Sequence, residues 1–228
     1  MYKLNASSQI LPSLSKSIRE PFCALSHLAG AIGALVGTAL LLVYAHGELV
    51  PSLAFLVYGL SMVALFTASA AHHGLKVPPK VAYRLLKLDY SAIYLLIAGS
   101  YAPICLITLK GPRGYGTFAT VCTLAAFGIL SANLWKNAPV WIRMSLYLGM
   151  GWILSLSIGA LRAVLPPSAI AWIVAGGLCY TIGCGVYIAD FPNFARGKFS
   201  SHDLWHVFVL GGSTCFYIAI LKFIAMAC

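Results

Sequence analysis

The chain is poor in charge and poorer still in acid. Charged residues are 9% of its 228 residues, and only five are Asp or Glu. A soluble domain carries about 25% charge. So sparse a set cannot cover a water-exposed surface, which leaves lipid as the solvent for most of the chain. Paired-cysteine motifs are also missing. None of the seven cysteines (Cys23, Cys105, Cys122, Cys179, Cys184, Cys215 and Cys228) has C-x-x-C spacing. Most lie inside apolar runs, where a thiol acts as a small hydrophobe; we read them as packing residues and expect no disulfide framework. The first twenty-one residues are too polar for the h-region of a signal peptide, and the apolar run after them is too long. There is no long polar stretch to make a separate soluble domain.

What is abundant is apolar length. Hydrophobic residues are 61% of the chain, and the mean hydropathy is +0.89. A helix needs about 20 apolar residues to cross the hydrocarbon core. Seven stretches qualify, roughly Phe22 to Tyr44, Leu53 to His73, Asp89 to Leu109, Thr117 to Trp135, Met144 to Val164, Ala169 to Ile188 and Leu204 to Met226. They are continuously apolar and do not alternate, which argues for helices over a β-barrel. The expected fold is all-α: residues 1–21 form an N-terminal cytoplasmic segment, loose or a short interfacial helix, and residues 22–228 form a seven-helix transmembrane bundle. Val77-Pro78-Pro79-Lys80, Gly111-Pro112-Arg113-Gly114 and Leu165-Pro166-Pro167-Ser168 read as loops. Gly33 and Gly37, four apart, suit close helix approach.

Fifteen Lys and Arg against the five acids give a net charge of +10. These cations sit in short loops and form no continuous stripe, so nucleic acid is not the expected partner; anionic lipid headgroups are. If the N-terminus is placed on one side, that side holds Lys3, Lys16, Arg19, Lys76, Lys80, Arg84, Lys87, Lys136, Arg143, Arg196 and Lys198. The other holds Lys110, Arg113, Arg162 and Lys222. This bias puts the N-terminus in the cytoplasm and the C-terminus outside.

The few ionisable residues in the spans need an explanation, because such groups are costly in lipid. The second span ends in Ser69-Ala70-Ala71-His72-His73, the third starts with Leu88-Asp89-Tyr90, and the seventh starts with Ser201-His202-Asp203-Leu204-Trp205-His206. Topology alone brings these three segments to one membrane depth. His202 and His206 are four apart and share a helix face, as do Ser69 and His73. Three imidazoles on Zn²⁺ leave a fourth position for water, whose pKa the ion lowers to about 7. Asp89 could hold that water or act as general base. The plainer reading is a histidine pair at a helix start facing headgroups. His72 competes with His73, since adjacent helix residues point about 100° apart. Asp203 reads as a first-turn acid favouring the helix dipole, and Asp190 and Glu48 as loop charges. Glu20 and His27, seven apart on a similar face, read as a second pair with a structural role.

These residues carry a resemblance. Glu20-Pro21 leading to His27-Leu28-Ala29-Gly30, the Ser69 to His73 string, Lys87-Leu88-Asp89-Tyr90 running on to Tyr101-Ala102-Pro103, and His202-Asp203-Leu204-Trp205-His206 resemble the hemolysin III family. That family is the bacterial branch of the progestin and adipoQ receptors, which include the adiponectin receptors. The resemblance runs from Glu20 to the C-terminus. It implies seven helices, an N-terminus inside, a bacterial inner membrane and a zinc site facing the cytoplasm. The family's Ser-x-x-x-His motif matches Ser69 and His73, its aspartate Asp89, and its paired histidines His202 and His206. Where the family often has an aromatic before the second-span histidine, this chain has Ala71-His72; where it often has a late seventh-span histidine, Cys215-Phe216 stand. Alkaline ceramidases in the wider superfamily make zinc-dependent hydrolysis of a lipid amide or ester one expected function. A cytolytic pore, as the family name implies, and a receptor-like fluidity sensor with structural zinc are the others.

Overall fold

A computed structural model describes residues 18–135, 138–194 and 199–228. Seven helices are long and apolar enough to cross a membrane: α1 Pro21–Tyr44, α2 Leu49–Gly74, α3 Pro79–Leu109, α4 Gly111–Leu134, α5 Val140–Val164, α6 Pro167–Ala189 and α7 Ser201–Ala227. No β-strand occurs among the described residues beyond an isolated bridge between Phe194 and Phe199. The expected all-α, seven-span architecture is therefore the observed one. Lys3, Lys16, Lys136, Arg196 and Lys198, and the expected interfacial helix before residue 18, lie outside the described residues.

Helix starts follow local chemistry. α1, α3, α4 and α6 each open with a proline in the first turn, where its missing N–H and fixed φ cost nothing. Between α3 and α4 the chain reverses through Lys110 and Gly111, both at positive φ; glycine takes this conformation without strain. α7 opens with a capping box. The Ser200 side chain accepts from the Asp203 backbone N–H, and the Asp203 carboxylate accepts from the Ser200 N–H.

The sequence reading set five helix starts too tightly. α4 begins at Gly111, not Thr117, so the Gly111-Pro112-Arg113-Gly114 stretch read as a loop is its first turn, and α5 begins at Val140, not Met144. α3 begins at Pro79, ten residues before the expected Asp89, because Lys80, Arg84 and Lys87 depress hydropathy without breaking helix periodicity. α2 begins at Leu49 and tolerates Pro51 in its first turn. α7 starts at Ser201, so His202 is already helical. Two spans are not regular throughout. Beyond Pro103, α3 continues as a π-helix over Ile104–Leu109, and α5 passes through a 3₁₀ segment, Ile153–Ser157. The Tyr101 hydroxyl serves that break: it lies 2.6 Å from the Met150 carbonyl and 2.9 Å from that of Gly151, and accepts from the Leu154 N–H at 3.0 Å.

α1 turns its smaller side chains inward and its larger apolar ones outward. On α1 the buried face is small or polar (Cys23, Ala24, His27, Ala31, Ala34, Gly37, Thr38) apart from Leu41. Leu25, Leu28, Ile32, Leu35, Val36 and Val43 face outward. Small residues let helices approach when lipid removes any hydrophobic drive to associate. Gly37 is such a site, since an added Cβ would lie 2.8 Å from the Tyr217 ring of α7. Gly33 is not, having nothing within 4 Å.

Candidate metal centre

The ends of α1, α2 and α7 and an interior turn of α3 build the site. α2 ends with Ser69 and His73, both buried, and α7 begins with His202 and buried His206. α1 contributes buried Cys23 and His27 one turn apart, and α3 contributes buried Asp89. α7 lies against α1 here: the His27 and His206 rings are 4.0 Å apart.

Three imidazoles point the same nitrogen at one spot. His202 Nε2 is 3.5 Å from His73 Nε2 and 3.2 Å from His206 Nε2. Zn–N bonds of about 2.0–2.1 Å in a tetrahedron place ligand nitrogens about 3.3–3.4 Å apart. The two separations bracket that spacing, so this donor set fits a zinc-sized ion. A Cys23 thiol completes the group, its Sγ and the three histidine nitrogens all lying within 4.8 Å of one another. Asp89 belongs to a second such group, with His72 and His73.

Outer contacts orient these donors. His73 Nδ1 makes a short contact with the Glu20 carboxylate, which fixes the proton on Nδ1 and leaves Nε2 free as a ligand. The backbone locks the same pair, Glu20 N–H donating to the His73 carbonyl at 2.9 Å and Arg19 N–H to that of Gly74 at 3.3 Å. Burial alone would raise the Glu20 carboxyl. The hydrogen bond to His73 and the neighbouring Arg19 charge outweigh it and hold the group below the ordinary carboxylate value. Ser69 lines the same cavity as Asp89. The Tyr147 hydroxyl donates to the Tyr90 carbonyl at 3.0 Å, and the Arg143 guanidinium lies 3.9 Å from the Tyr90 ring centre. Arg143, Tyr147 and Asp89 line one cavity with the three histidines.

The structure brings Ser69, His73, Asp89, His202 and His206 together. His72 also lines this cavity and groups with His73 and Asp89, but not with the His202 and His206 pair; its Nε2 is 3.5 Å from an Arg19 guanidinium nitrogen. Two readings change. Glu20 pairs with His73, not with His27, whose ring nitrogens make no hydrogen bond among the described residues. Cys23 is at the site and not merely a packing residue. Glu20, Cys23 and His27, at spacings of three and four on one helix face, were the available signal.

A seven-helix membrane protein with a histidine-rich pocket at one end of its bundle is the class this fold and site define. The sequence signature described as haemolysin-III related matches residues 16–217, and the chain belongs to that family. It is 35% identical over 203 residues to hemolysin-3 of Bacillus cereus, covering 88% of this chain and 90% of the relative. To the hemolysin-3 homolog of Bacillus subtilis (strain 168) it is 30% identical over 200 residues, covering 87% and 91%. The more distant heptahelical transmembrane protein ADIPOR3 of Oryza sativa subsp. japonica is 31% identical over 187 residues, covering 73% of this chain and 45% of the relative.

Proposed function

We propose that this protein is a zinc-dependent hydrolase of an amide or ester bond in a membrane lipid, working at the cytoplasmic face of a bacterial inner membrane. The observation that carries this reading is the convergence of His73, His202 and His206 Nε2 at the spacing of a tetrahedral ion's ligands. Bound there, zinc supplies Lewis acidity and brings water into reach of deprotonation near neutral pH. The protein's own groups divide the remaining work. Glu20 holds the His73 ring in its ligating orientation. Asp89, in the same cavity as Ser69, is the proton acceptor for an attacking water and returns the proton to the leaving group.

The lipid reading rests on what adjoins the site. A second, apolar cavity shares Leu65, Ile93, Tyr147, Trp205 and Val209 with the histidine pocket and runs on to Trp152, Tyr180 and Phe216. Its walls suit an acyl chain, which would place the carbonyl toward the histidines. The cytoplasmic orientation rests on the cations. Arg19, Lys76, Lys80, Arg84, Lys87 and Arg143 lie near the site's end of the spans, and Lys110, Arg113, Arg162 and Lys222 near the other.

The test is metal content and turnover on one preparation. Folded protein is expected to carry one zinc per chain and to release fatty acid from a ceramide or phospholipid panel, with both lost in His202→Ala. Folded wild-type protein without bound metal would overturn the proposal. Ion conductance in pure liposomes at defined protein doses would support the pore reading instead.

A further inference from the structure

We propose that Cys23 is a fourth protein ligand to this metal, closing in the resting state the coordination position that a hydrolytic water needs. The inference rests on the metal reading above and adds a residue and a regulation to it. Cys23 Sγ is the only sulfur in the described group whose ligand atoms lie mutually within 4.8 Å. The side chain is 2% exposed, so its thiol is turned into the bundle toward the imidazoles and away from lipid.

The thiol also has a proton acceptor in place. Cys23 S–H donates to Asp203 Oδ1 at 3.1 Å. The other Asp203 oxygen is already engaged, accepting from the Ser200 N–H at 2.7 Å and from its hydroxyl at 2.8 Å. The capping carboxylate of α7 thus faces the helix start with one oxygen and the thiol with the other. When the metal binds, the S–H bond breaks and an S–metal bond forms; the proton passes toward Asp203 and on to solvent. Charge balances as one proton released per thiolate bound.

A set of three imidazoles and one thiolate is four-coordinate and closed, whereas three imidazoles alone leave a position open. Asp89 stands outside the Cys23 group and shares one with His72 and His73. The thiol and the carboxylate therefore approach the imidazoles from different helices, α1 and α3. With Sγ displaced, the three imidazoles would leave a position open to water.

X-ray absorption at the zinc edge on full-length protein in detergent tests this directly. Wild type is expected to show one sulfur at about 2.3 Å and three nitrogens at about 2.0–2.1 Å. Cys23→Ser is expected to lose the sulfur and keep the nitrogens, and the cobalt-loaded forms to differ by loss of the thiolate-to-cobalt absorption band. The wild-type spectrum decides the matter even if the variant does not fold. Metal held by nitrogen and oxygen alone in wild type would overturn this inference and leave the hydrolase proposal standing. A sulfur signal that persists in Cys23→Ser would overturn it too. Wild type that holds no metal would remove both.

Discussion

The two ends of the bundle are built on opposite terms. At the end holding Pro21, Gly74 and Ser201, the interior contains His27, Ser69, His73, Asp89 and His206, all buried. Toward the other end the interior is Leu41, Phe55, Ile104, Cys105, Val121, Leu161 and Ile220, none more than 1% exposed. In lipid an ionisable side chain is costly and persists where it is paired or working, while an apolar interior is held by shape alone. Stability and chemistry are therefore separable by depth, and substitutions at the two ends should fail in different measurements.

The sharpest break is expected at His206. His206→Ala should abolish stoichiometric zinc, read by elemental analysis, while the protein still elutes as a folded species in detergent. Next comes Glu20→Gln, which keeps size and removes the charge on His73 Nδ1. Outer-shell changes of this type cost about 10–100-fold in metal affinity, measurable by chelator competition; His72→Ala should leave that affinity unchanged. At the apolar end the effect should move to stability. In Gly59→Ala the added Cβ would sit 2.1 Å from Thr38 Oγ1; overpacking costs about 1–3 kcal/mol, seen as a lower unfolding midpoint with zinc content unaltered. Tyr101→Phe removes the hydroxyl that serves the α5 break and should cost about 1–3 kcal/mol, again without metal loss. Gly33→Ala should be the mildest, within about 0.5 kcal/mol, because nothing lies within 4 Å of the new Cβ. Loss of zinc from Gly59→Ala or Tyr101→Phe would break the separation by depth.

Much of this was legible in the sequence, for identifiable reasons. Continuous apolar runs at spanning length announce helices whatever their neighbours. Counting spans brought the His72-His73 pair to the depth of His202 and His206, and the family's Ser-x-x-x-His motif favoured His73. What escaped were features fixed by side-chain direction across helices. Glu20 has two histidines within reach of its end of the bundle, and only the pairing of the α1 start with the α2 end selects His73. Cys23 in an apolar run looks like any small hydrophobe until Asp203 and the imidazoles are seen around it. The start of α3 was misplaced because a hydropathy reading penalises Lys80, Arg84 and Lys87, although lysine and arginine are good helix formers.

The contact between the His27 and His206 rings joins the first span to the last. During synthesis α1 and α2 emerge long before α7, so Glu20, Cys23 and His73 must wait in the bilayer without the imidazoles that later surround them. The pocket is the final thing the nascent chain can complete: Glu20 and His73 can pair once α1 and α2 are in place, but a product stopped short of Ser201 would lack the His202 and His206 imidazoles.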